Sequence, residues 1–143
     1  MKKFSGGKTL AIAAVAGGAI LASVAPVMAD VSAQSPSAGL IRVESPAKLK
    51  AWGAAIEVKV TYTCPVGTQS SLNLVVNQAK LGGVAIGGAY QSNLNCNGAF
   101  ETVTLNVQAN DRAFGLGKAF AKAEIQGYPN VGAKDEREIS IGL

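Results

Sequence analysis

Residues able to carry chemistry are scarce in this chain, beginning with histidine, of which there is none. Its absence excludes Ser-His-Asp and Cys-His nucleophile systems and every histidine-bearing metal site. Ser45-Pro46-Ala47-Lys48 has the Ser-x-x-Lys spacing of penicillin-recognising enzymes, but the companion motifs Ser-Asp-Asn and Lys-Thr-Gly are missing. Pro46 also opposes the helix that would bring the serine and lysine together. Two phosphate-loop lookalikes, at Gly7-Lys8-Thr9 and Gly117-Lys118-Ala119, have Lys2 and Arg112 where the first glycine belongs. Two carboxylates suffice for glycoside hydrolysis, so Glu57, Glu101, Glu124 and Glu138 need weighing. All but Glu101 have a Lys or Arg within two residues, the pattern of solvated cross-strand charge pairs. Asp135, Glu136 and Glu138 could gather Ca²⁺, but Lys134 and Arg137 interleave them. The expectation is a protein that is not an enzyme and has no cofactor and no metal.

Two other sets of side chains matter more. Cys64 and Cys96 are the only cysteines. An even count in an exported chain reads as one disulfide, since a two-thiolate metal site would need further ligands. Tyr90, Phe120 and Tyr128 fall in loops or on the polar parity of strands, and together they form a candidate binding face. Exposed aromatics of this kind can anchor a partner or a sugar. The competing readings are that Phe120 packs under a loop and that the others are scattered apolar surface.

Export is read from the first residues. Lys2, Lys3 and Lys8 precede an uncharged apolar run from Leu10 to Val24, and Val27-Met28-Ala29 is a small-x-small cleavage site. Residues 1–29 are therefore expected to be a signal peptide cleaved after Ala29, with Gly17, Gly18 and Pro26 opposing a retained membrane anchor. Of the 13 Lys+Arg and 9 Asp+Glu, the segment holds three cations and no anion, which leaves the mature chain near neutrality. That balance gives no electrostatic case for nucleic acid. The mature protein is expected to be secreted or associated with the cell envelope, without a membrane span, to act as a monomer, and to meet a protein or envelope partner. Residues 30–38 are small, polar and aperiodic, a flexible N-terminal tail before one domain at 39–143.

The elements that must position these side chains are strands. From Ala54 to Cys64, Ile56, Val58, Val60, Tyr62 and Cys64 share one parity, and Glu57, Lys59, Thr61 and Thr63 the other. Such period-2 alternation marks a strand with one buried face. The same pattern recurs at 70–78, at 100–109 with Val103, Leu105 and Val107 inside, at 118–126, and at 136–143. Residues 39–51 form a first strand in two pieces, broken at Ser45-Pro46-Ala47, as suits an edge that bends or crosses between sheets. Residues 80–91, with Gly82, Gly83, Gly87 and Gly88, read as a weak edge strand or a loop. These signals predict an all-β domain, specifically a seven-stranded antiparallel immunoglobulin-like sandwich, with a closed barrel as the alternative.

The motifs Tyr62-Thr63-Cys64-Pro65-Val66-Gly67 and Cys96-Asn97-Gly98, followed by Thr102-Val103-Thr104-Leu105-Asn106-Val107, resemble small exported actinobacterial immunoglobulin-like proteins of uncharacterised function. The resemblance implies a sandwich and carries no chemistry. The cysteines are 32 residues apart, short for a bridge across the core of an antibody-type domain, so the bridge should pin a loop near one end. A binding or structural module predicts exposed aromatics over a filled core. A carrier of a small apolar ligand, similar in length and class to chromoprotein apoproteins, predicts an apolar cleft. A small inhibitor or accessory protein is the third reading.

Overall fold

The computed structural model describes residues 39–143; the expected signal peptide and tail lie outside the described residues. Alternating sequence becomes strand throughout: β1 (Leu40–Val43), β2 (Ala47–Lys50), β3 (Ala55–Thr63), β4 (Gln69–Lys80), β5 (Gly83–Gln91), β6 (Glu101–Ala109), β7 (Gly117–Tyr128) and β8 (Val131–Gly142). A 3₁₀ turn at Ala51–Gly53 joins β2 to β3. Among the described residues no helix is long and apolar enough to cross a membrane.

The expected antiparallel sandwich is not what forms. Seven strands close into a mixed barrel in the order β3-β2-β8-β7-β4-β5-β6, and β6 returns to β3 through eight antiparallel pairs from Ala55↔Gln108 to Tyr62↔Glu101. Every pairing in the ring is antiparallel except β2–β8, which is parallel at Ala47↔Ile141 and Lys48↔Gly142. Inward–outward alternation is the same for a sandwich face and a barrel wall, so edge pairing decides between them. The break at Pro46 makes that pairing possible. β1 takes the Val60–Thr63 end of one β3 edge, and β2 takes the Ala55–Glu57 end, where it reaches β8. The glycine-rich stretch is likewise no weak edge or loop. β5 pairs with β4 through nine residue pairs and meets β6 at Gly87↔Ala109 and Gly88↔Gln108.

Side chains fill the interior. Ile56, Val58 and Val60 from β3 and Leu72, Leu74 and Val76 from β4 have no accessible surface. Leu74 and Val76 stand opposite Ala123 and Ala121 of β7, so large residues on one strand meet small ones on the next. Trp52 takes no part in this core; it is wholly exposed, at a left-handed φ of 58°.

Each end of the barrel is sealed differently. At one end Gln78, buried at the end of the β4 inward row, donates from Nε2 to the Gly115 carbonyl (2.9 Å). Its Oε1 accepts the Gly115 N–H at 2.8 Å. Both halves of a buried amide are thus satisfied by one backbone unit, and buried Phe114 is set beneath the loop. Gly87 must lack a side chain, because a Cβ there would collide with the Gln108 carbonyl oxygen and the Phe114 ring.

At the other end the Cys64–Cys96 disulfide, with Cα atoms 4.9 Å apart, holds the β5–β6 loop against the end of β3. Leu94 is buried there and donates its N–H to the Ser70 carbonyl (2.9 Å), while Gly98 N–H donates to the Cys64 carbonyl (3.0 Å). Glu101 Oε1 accepts from Asn97 Nδ2 (2.7 Å) and Asn95 Nδ2 (3.2 Å), so the carboxylate on the inward parity serves the loop.

Tyr62 completes this seal: its buried hydroxyl accepts the Asn95 N–H at 3.2 Å. Burial pushes the phenol above its ordinary range; the Asn95 hydrogen bond offsets this in part, and the Glu101 charge adds to it. Because the folded state favours the neutral phenol, its contribution is intact below the unfolded value of about 10 and is lost as pH rises beyond it. Lys118 and Lys134, raised by hydrogen bonds to Glu138 and Glu136, lose their protons in the same region. The expected result is a urea midpoint that falls above about pH 10, with a smaller fall in Tyr62→Phe. Identical pH profiles for the two proteins would contradict the assignment.

Candidate functional site

The outer face of β5, β4 and β7 gathers the aromatics that the sequence singled out. On β4 the outward residues are Gln69, Ser71, Asn73, Val75, Asn77 and Ala79, since the intervening ones are buried or, at Lys80, end the strand. Register then fixes their neighbours. Tyr128 of β7 stands opposite Gln69, Tyr90 of β5 opposite Asn73, and Phe120 of β7 opposite Asn77. An exposed aromatic therefore recurs at every fourth residue of β4, alternately from one flanking strand and the other, and each faces a side-chain amide. Four residues of strand correspond to about 14 Å.

The three rings are 66% (Tyr90), 47% (Phe120) and 81% (Tyr128) exposed, so Phe120 is not packed under a loop. Tyr90 and Tyr128 line one open groove of about 470 Å³, with Gln69, Ser71, Asn93 and Gln126 between them. A second concavity of about 290 Å³ shares Ser71, Tyr90 and Gln126 and reaches Asn73 and Glu124. A third of about 230 Å³ lies farther along β4, beside Phe120, Asn77 and Glu138. Gly88 stands opposite Val75 and leaves a gap in the outer row of β5 between Ile86 and Tyr90.

Charge on this surface is confined to β7 and β8 and to Lys80 at the end of β4. The outward residues of β4 before Lys80, and those of β5, carry no charge. The charges on β7 and β8 face one another: Lys118–Glu138 at 2.7 Å, Lys134–Glu136 at 2.6 Å and Lys122–Glu136 at 3.9 Å. Glu124 accepts from Gln126 Nε2 at 2.8 Å. Such exposed pairs stabilise the fold little; the Glu124 carboxylate, which lines the second concavity, stands outside them.

Most of the remaining candidates have structural partners. Ser45 lies in the bend between β1 and β2, where its Oγ accepts the Ser140 N–H (3.0 Å), and Lys48 is on β2. Asp135 Oδ2 accepts the Val43 N–H at 2.7 Å, which ties β1 to β8. Arg137 Nη2 donates to Asp135 Oδ1 (3.0 Å); its Nε lies 2.7 Å from Oδ2 without hydrogen-bond alignment.

Sequence reasoning found the aromatics but missed the amides opposite them. The spacing Gln69, Asn73, Asn77 is visible in the chain, yet its meaning depends on strand register. A scan against protein-family models and a search of curated proteins returned no match to this chain.

Proposed function

We propose that this chain is an exported, monomeric, non-enzymatic module that works by binding, in the medium or at the cell envelope, through the outer face of β5, β4 and β7. The observation that carries the reading is the aromatic–amide pairing repeated along β4. Rigid strands present these side chains in fixed positions, which lowers the cost of ordering them on binding. Export is supported by the basic and apolar segment before Val27-Met28-Ala29 and by a disulfide, a bond that persists in oxidising compartments. Carriage of an apolar molecule in the interior finds less support, because the central core side chains leave no accessible surface for it.

Pull-down from culture supernatant and solubilised envelope tests the reading. The wild-type chain should capture a partner, and Tyr90→Ala/Tyr128→Ala should lose it. Both positions are exposed, so the double variant should keep its unfolding free energy, read from a urea titration, to within about 0.5 kcal/mol per site. Equal capture by both proteins would remove this face as the binding surface.

A further inference from the structure

We infer that the occupant of this face is a neutral polysaccharide chain lying along β4, a proposal that rests on the face being the binding surface. A sugar ring offers an apolar C–H face and a rim of hydroxyls that both donate and accept. An aromatic ring suits the first, and a side-chain amide, with two donors and an acceptor oxygen, suits the second. The pairs Tyr128/Gln69, Tyr90/Asn73 and Phe120/Asn77 supply one of each at successive positions on a single strand. Ser71 and Gln126, opposite each other between the two tyrosine rows, add further hydroxyl and amide groups.

Shape and charge select among possible occupants. Adjoining concavities that share Ser71, Tyr90 and Gln126 form an open track, which suits an extended chain better than a compact small molecule. The pairs recur about 14 Å apart, too far for the rings to pack into one cluster of the kind that anchors a protein partner. The uncharged outer rows of β4 and β5, the Lys residues paired with Glu on β7 and β8, and the Glu124 carboxylate within the track offer no cationic lane for a polyanion. A neutral, hydroxyl-rich polymer meets all three conditions.

Envelope material from the organism that makes the protein supplies the probes. One is the neutral polysaccharide fraction, freed of protein by protease, of lipid by solvent extraction and of acidic chains by ion exchange; the others are the protein and lipid fractions. Wild-type chain should be retained on the neutral polysaccharide with little dependence on salt. Tyr90→Ala and Asn73→Leu should each weaken retention at least about tenfold, Tyr90→Phe should keep most of it, and Lys59→Ala, outside the groove, should not change it. Retention only on the protein or lipid fraction, still lost in Tyr90→Ala, would overturn the polysaccharide and leave the binding face standing. Equal retention of wild type and Tyr90→Ala would overturn both, as would failure of the wild-type chain to bind any fraction.

Discussion

Reducing the Cys64–Cys96 disulfide should lower the urea midpoint sharply, with a loss equivalent to about 3–4 kcal/mol in the chain-entropy account of cross-links. The closed loop spans 32 residues, so its ends lose considerable freedom in the unfolded chain. A domain of this size typically has about 5–15 kcal/mol in all, which makes the bridge a large share of the total. The location adds to the effect. β5 and β6 meet through two residue pairs, and the segment between them carries Leu94 into the core. Freeing Cys96 loosens that segment together with the Asn95–Tyr62 and Gly98–Cys64 hydrogen bonds. Far-UV circular dichroism is the appropriate probe, because Trp52 is fully exposed already in the folded state. Thiol titration should find no free thiol before reduction and two afterwards. An unchanged midpoint would contradict the role given to the bridge.

Leu105→Ala should cost about 2–5 kcal/mol, the range for a large core aliphatic replaced without full collapse of the cavity. Leu105 is inward on β6, opposite Val58, within the same apolar core as Val60. Its neighbour Thr104 is exposed and stands opposite Lys59, so Thr104→Ala should cost under about 0.5 kcal/mol. Urea titrations of the two variants provide the comparison. Equal losses would mean that the inward and outward faces of β6 had been exchanged.

That parity was legible because β6 and β3 alternate cleanly: Ile56, Val58, Val60, Tyr62 and Cys64 are all buried as their spacing predicts. The bend at Pro46 and the disulfide, placed in a loop at one end, could also be read from residue type. Ring closure could not. It depends on a two-pair parallel contact between Ala47–Lys48 and Ile141–Gly142, almost the whole described chain apart, for which no local pattern exists. β5 is hard to read for another reason: its glycines have little intrinsic preference for strand, and pairing with β4 overrides that deficit. The candidate site divides the same way. Tyr90, Phe120 and Tyr128 were recognisable singly, whereas the pairing of Tyr90 with Asn73 depends on the register of the β4–β5 hairpin and that of Phe120 and Tyr128 with Asn77 and Gln69 on register between segments far apart in sequence.

Barrel closure also governs how this protein can meet other chains. An open sheet edge displays unpaired N–H and C=O groups, and a passing strand can add to it with little regard for sequence. Here every strand of the seven-strand ring has a neighbour on both sides, although β5–β6 and β2–β8 are each closed by two residue pairs. The strand left outside it, β1, is only four residues long, and the Asp135 carboxylate holds its Val43 N–H at 2.7 Å. Strand addition and edge-to-edge growth are therefore confined to the lengths of strand, those of β6 and β8 included, beside the two short closures. What the barrel wall offers its surroundings is side chains, so whatever binds there is chosen by side-chain chemistry.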